Sequence, residues 1–243
     1  MLNVIKADLY KSFHRAYLYV FMAIMAGLAI FLNTIFSAHA VSFEMLCEFS
    51  LQMLTVPLFL VIMFVDIITA EEMKEHTLKN TVSYGISRTN LYFAKNIAAI
   101  LAAFVCAIVI LAAFFGSGLL LLPTDNGEYP VFPDYFAMKI AISFLIYIAG
   151  ISLGTLLAVI IKKNSLFSFA YILLLMMPMY IFKLLGLFNP ALARLQSATL
   201  MAQIGMLPSA ALPEMQLILW NALAHIAIFY IVGLFLFKRQ EIN

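Results

Sequence analysis

Apolar runs of about 20 residues recur along this chain, the length an α-helix needs to cross the roughly 30 Å hydrocarbon core of a bilayer. They fall at about residues 16–36, 49–70, 96–122, 135–161, 165–188 and 217–237. Hydrophobic residues make up 65% of the 243 and charged residues 11%, where soluble domains average roughly 45–50% apolar and about 25% charged. Within residues 1–243 the connections between runs are short and leave no room for a soluble domain. The expectation is an all-α fold: one polytopic domain of six transmembrane helices. A net charge of +2 excludes a nucleic-acid-binding surface, and two cysteines, Cys47 and Cys106, supply no disulfide framework and read as packing residues.

Residues 1–15 place Leu2, Ile5, Leu9 and Phe13 at steps of three and four, with Lys6, Lys11 and Arg15 set for lipid headgroups. This predicts an amphipathic interfacial helix ahead of the first span. Ala38-His39-Ala40 imitates a signal-peptidase site, but the apolar run before it exceeds the roughly 7–15 residues of a signal core, so the first span is expected to remain uncleaved. Of the 14 Lys and Arg residues, 11 fall on one side of the six runs and only Lys139, Lys183 and Arg194 on the other. By the positive-inside rule both termini are cytoplasmic, in a multi-pass protein of the plasma membrane. The run at 96–122 is longer than a perpendicular span and must tilt or project.

The one long polar interval runs from Glu71 to Lys95. Met73, Leu78 and Val82 share a helical face there, while Glu75 precedes Lys79 by the favourable four-residue step. Gly85 suits the left-handed turn that ends a helix, and Ser87 or Thr89 suits the cap of the next, so residues 71–90 read as a surface helix and an elbow carrying Gly85, Ser87 and Arg88. Residues 189–216, punctuated by Pro190, Pro208 and Pro213, carry apolar residues at helical spacing and read as a re-entrant-like outer gate segment.

Chemistry held within the chain finds little support. No GxxxxGK[ST] loop is present to cradle a nucleotide, no HExxH, and the four histidines lie at different depths, so no catalytic, cofactor or metal site is expected. An intramembrane hydrolase built on Glu71, Glu72, Glu75 and His76 would need Asp66 and His225 as buried ligands. Asp66 is otherwise a proton carrier, a partner of Lys95 or Lys162, or a brace for the elbow. Asn221 and His225, one turn apart, line a polar cavity or join two helices. Met176, Met177 and Pro178 combine flexible side chains with a helix-breaking imide, and with Asp66, Asn221 and His225 they form the candidate pathway or gate. Gly150 and Gly154 present a small-residue face where helices approach closely.

The interval from Glu71 to Lys95 resembles the second-to-third-span connection of type-2 ABC exporter permeases, particularly the six-span permeases of bacitracin resistance, lantibiotic immunity and peptide export in Gram-positive bacteria. That family commonly shows an acidic residue, a Gly-Thr-Leu element, a Pro-(Ile/Val)-Ser-Arg turn and a lysine. The corresponding residues are Glu72, His76-Thr77-Leu78, Tyr84-Gly85-Ile86-Ser87-Arg88 and Lys95, with His76 in place of the glycine and Tyr84-Gly85 where the proline is often found. The resemblance implies a coupling helix that contacts a cytoplasmic ATPase through Met73, His76, Thr77, Leu78, Thr81 and Val82. It also implies two ATPase copies that bind the ATP and Mg, a second permease copy or sister permease, and a hydrophobic or peptide substrate moved outward. On that reading the chain has no enzyme activity of its own; the alternative is a membrane anchor or sensor subunit that transports nothing.

Overall fold

Hydrocarbon offers no partner for backbone amides and carbonyls, so a chain this apolar must satisfy them internally. Among the described residues it does so with helices alone. The computed structural model describes residues 1–74, 85–124, 131–161 and 164–239. Helix α1 (Leu2–Phe13) precedes α2 (Ala16–Ala38), and the second apolar run is divided into α3 (Phe43–Gln52), α4 (Thr55–Leu60), α5 (Ile62–Val65), a π-helical turn (Asp66–Ala70) and α6 (Glu71–Lys74). Then come α7 (Arg88–Leu121), α8 (Phe136–Ile160), α9 (Asn164–Leu185), α10 (Pro190–Ser197), α11 (Leu200–Met206) with a 3-10 turn (Leu207–Ser209), and α12 (Leu212–Arg239). Helices α2, α7, α8, α9 and α12 are each long and apolar enough to cross a membrane. Helix α3 and the stretch Thr55–Met73, bent by 43° at their junction, make a sixth crossing if taken as one span. The chain is an all-α, multi-pass membrane protein.

Helix α8 is the centre. Of its most apolar 18 residues 67% are buried, against 22% or fewer in the other four long helices. Its glycines explain how the second run lies so close. A methyl group at Gly150 would press on the Tyr171 hydroxyl and Leu58, and one at Gly154 on Ile62 and Val65. The small-residue face therefore serves a contact within the chain.

The second run is bent for a local reason. Pro57 has no N–H, so the carbonyl four residues earlier loses its helical donor and the helix breaks at Met53 and Leu54. Two buried tyrosines from neighbouring spans attend the interrupted stretch: Tyr147 donates to the Leu54 carbonyl at 2.7 Å, and Tyr171 to the Leu58 carbonyl at 2.8 Å. Gly150 leaves room for the second of these to pass across α8.

Two expectations change. The bent apolar pair lies in the second run, whereas residues 190–209 form two short helices and a 3-10 turn. Helices of 8 and 7 residues are only ~12 and ~10 Å long, too short to dip into a leaflet and return. The third span begins at Arg88 rather than Asn96, because Ser87 caps it and the polar residues 88–95 continue the helix. At 34 residues it is ~51 Å long and projects well beyond the hydrocarbon core. The Gly116-Ser117-Gly118 stretch does not loosen it. Gly118 packs under Leu46, and Asn33, fully buried, donates to the Phe114 carbonyl and the Ser117 hydroxyl, both at 2.7 Å.

The tyrosine bonds give a direct expectation. Tyr147→Phe and Tyr171→Phe should each lower stability by about 1–3 kcal/mol, the cost of leaving a buried carbonyl without its donor. Tyr180→Phe, at an exposed position, should change nothing. Unfolding in mixed detergent micelles checks all three.

Candidate functional site

Helix α1 carries Ile5, Asp8 and Ser12 on one face, and that face is buried. An aspartate there must meet a cation or give up its charge. It meets Lys95, two turns into α7, whose Nζ donates to Asp8 Oδ1 at 2.7 Å and to Glu72 Oε2 at 2.5 Å, with only 3% of the lysine exposed. Lys11 reaches the other Glu72 oxygen at 3.3 Å, and Arg15, at the entry to α2, pairs with Glu71 at 2.5 Å. Three cations and three anions thus join α1, the end of the second run and the start of α7. Lys11 and Arg15, expected at the headgroups, serve inside this junction. Asp8 was hidden among the apolar positions of α1; its spacing from Ile5 and Ser12 was the available signal.

Around the charges lies a small apolar cluster of Met73, Leu91, Tyr92, Val159 and Phe237. It gathers the second, third, fourth and sixth crossings at the same end. Gly233 on α12 has no side chain because Tyr92 occupies that space. Gly85 takes φ +84°, the left-handed conformation expected of it, Ser87 accepts the Asn90 N–H, and Arg88 donates to the Lys238 carbonyl at 2.9 Å. That last bond places a cation at the C-terminal end of α12, where the helix dipole favours one.

Of the proposed contact residues, Met73 is buried in the apolar cluster and packs within the chain. His76, Thr77, Leu78, Thr81 and Val82 lie outside the described residues. Asp66, half-buried, opens the π-helical turn that leads into Glu71 and Glu72. Such turns add a residue to the helical repeat and are frequent at functional positions. Lys95 is held by Asp8 and Glu72.

The candidate pathway residues separate. Pro178 and His225 line one cavity of about 220 Å³ among α8, α9, α10, α11 and α12, together with Leu153, Leu195, Thr199 and Phe229. Asp66, Met176, Met177 and Asn221 are not among its lining. Asn221 and His225 do not join two helices through their side chains: His225 Nδ1 bonds the Asn221 backbone carbonyl of its own helix at 2.8 Å. The four-residue step sets that carbonyl beneath the ring. At the opposite end of α8, buried Lys139 donates to the Pro208 carbonyl at 2.7 Å and ties the turn after α11 to the core.

No protein-family model and no curated protein matches this chain. Among the described residues no group of three or more His, Cys, Asp or Glu side chains is arranged to hold a metal ion.

Burial pushes the Asp8 carboxyl above its usual 3.8, against the opposing pull of Lys95. An acid raised in the folded state contributes most stability below its unfolded pKa, and that contribution is lost as pH rises through the folded value. Asp8→Asn removes this cost of ionisation, so its melting temperature relative to wild type should climb as pH is raised from 3.8 through the folded value. A difference independent of pH would mean that Asp8 ionises as it would in water. Lys95→Met, which strands two buried carboxylates, should cost about 3–5 kcal/mol. The triple variant that adds Asp8→Asn and Glu72→Gln should recover most of that loss in the same unfolding assay.

Proposed function

We propose that this chain is the membrane-spanning permease subunit of a type-2 ABC exporter, moving a hydrophobic or amphipathic substrate such as an antimicrobial peptide outward across the plasma membrane. A separate cytoplasmic ATPase, in two copies, binds the ATP and Mg and powers the movement. A second copy of the chain, or a sister permease, completes the pathway.

The observation that carries this reading is the ion-paired junction beside residues 75–84. There α1, Glu71 and Glu72, the start of α7 and the end of α12 are fastened to one another. A partner seated on the polar interval would push on a junction already made rigid, and packed interfaces pass such a push on as a switch between discrete arrangements. The excess of Lys and Arg at this end favours the cytoplasmic side. The elbow sequence, with its resemblance to coupling connections, supplies the nature of the partner. No nucleotide loop occurs in the sequence, so hydrolysis is assigned to that partner.

The test is affinity capture of the tagged chain from native membranes in mild detergent, with ATP hydrolysis measured on the eluate. Wild type should bring down an ATPase, and Leu78→Asp should lose it while still inserting in the membrane. Capture of no ATPase by wild type, or its retention by the variant, would overturn the coupling role. An ATPase that copurifies from cells whose substrate export is unaffected by deleting the chain would favour the anchor reading instead.

A further inference from the structure

The cavity beside Pro178 has a polar group that the fold does not use. It is lined by apolar side chains apart from Thr199 and His225. Thr199 is engaged twice, donating to the Gln196 carbonyl at 2.8 Å and accepting the Ala202 N–H that begins α11. His225 is engaged once. A backbone carbonyl only accepts, so the bond between Nδ1 and the Asn221 carbonyl fixes the hydrogen on Nδ1. In the neutral ring Nε2 is then an acceptor, and among the described residues it has no partner.

Several occupants fail to answer that acceptor. A stable water needs two to four polar partners, which this lining does not offer. Acyl chains bring no donor. Lipid headgroups and glycerol hydroxyls bring donors but sit at the membrane surface, whereas His225 is the fourteenth of the 28 residues of α12 and lies near mid-depth. What fits is an apolar molecule with a single hydroxyl that reaches the site through the bilayer. Size narrows it further. An apolar cavity of about 150 Å³ takes a benzene ring, so 220 Å³ takes one ring with a short chain.

We propose that this cavity is a binding site for a small apolar alcohol of the alkylphenol class, its ring against Phe229 and Pro178 and its hydroxyl donating to His225 Nε2. The inference does not rest on an ATPase partner. It adds a ligand site reached from the membrane to whatever the opposite, ion-paired region does.

The chain in lipid nanodiscs would be labelled with an alkylphenol bearing a diazirine on its side chain, in competition with para-propylphenol or its methyl ether, and the adducts mapped by mass spectrometry. Adducts should concentrate on Leu174, Phe182 and Phe229. After correction for partitioning into lipid, the phenol should compete at about three- to tenfold lower concentration than the ether, the worth of one neutral hydrogen bond. His225→Phe should make the two competitors equal, and Ala198→Trp, which fills the space, should remove most labelling. Equal competition on wild type, or labelling as strong at lipid-facing Leu217 and Ile231 as in the cavity, would overturn the proposal. If His225→Phe does not fold, the comparison of phenol and ether on wild type decides the matter alone.

Discussion

Lys95 sits in the interior with 3% of its surface exposed and two carboxylates within hydrogen-bonding distance. Withdrawing those charges from water costs several kcal/mol for each ion, and mutual attraction in a low dielectric roughly repays it when the geometry is good. Such a cluster adds little net stability. It does specify an arrangement: α1 docks only where Asp8 meets Lys95, and the second run ends only where Glu72 meets the same ammonium group. Sliding α1 by one residue would carry Asp8 off the buried face and leave the lysine short of an anion. Three segments that hydrophobicity alone would allow to slip are thereby placed in one register.

The rest of the bundle distributes the opposite kind of interaction. Helix α8 is buried along most of its length by apolar contact, and its glycines admit the broken second run against it. That run interrupts its own hydrogen bonding at Pro57, and Tyr147 and Tyr171 supply donors from other spans. An interrupted helix held by side chains from two neighbours is coupled to both, and it leads through the π-helical turn directly to Glu71 and Glu72. On the proposed function this is the route by which movement at the elbow reaches the membrane interior. Helix α7 offers a second, stiffer route, since one unbroken helix runs from Lys95 to the Asn33 and Ser117 contact at the far end.

Much of this was legible along the chain. The apolar runs locate every long helix to within a few residues at most ends, because a bilayer imposes a length that few other environments impose. Gly85 and Ser87 were readable as an elbow because left-handed φ and capping are properties of single residues. The start of α7 was misplaced because hydropathy marks where hydrocarbon ends, and a capped helix continues past that point. Residues 189–216 were read as dipping because apolar spacing reports a buried face without saying whether lipid or protein covers it.

The sequence by itself determined the number and approximate length of the helices, their basic end and the elbow, all of which follow from local composition and nearest-neighbour geometry. Only the tertiary structure decided that Asp8, Glu72 and Lys95 share one charge cluster across 87 residues, that Tyr171 reaches a carbonyl 113 residues away, and that Pro178 and His225 face one cavity. Those meetings depend on which faces of separate helices come together. Lipid-like side chains carry no mark that distinguishes a neighbour from the bilayer.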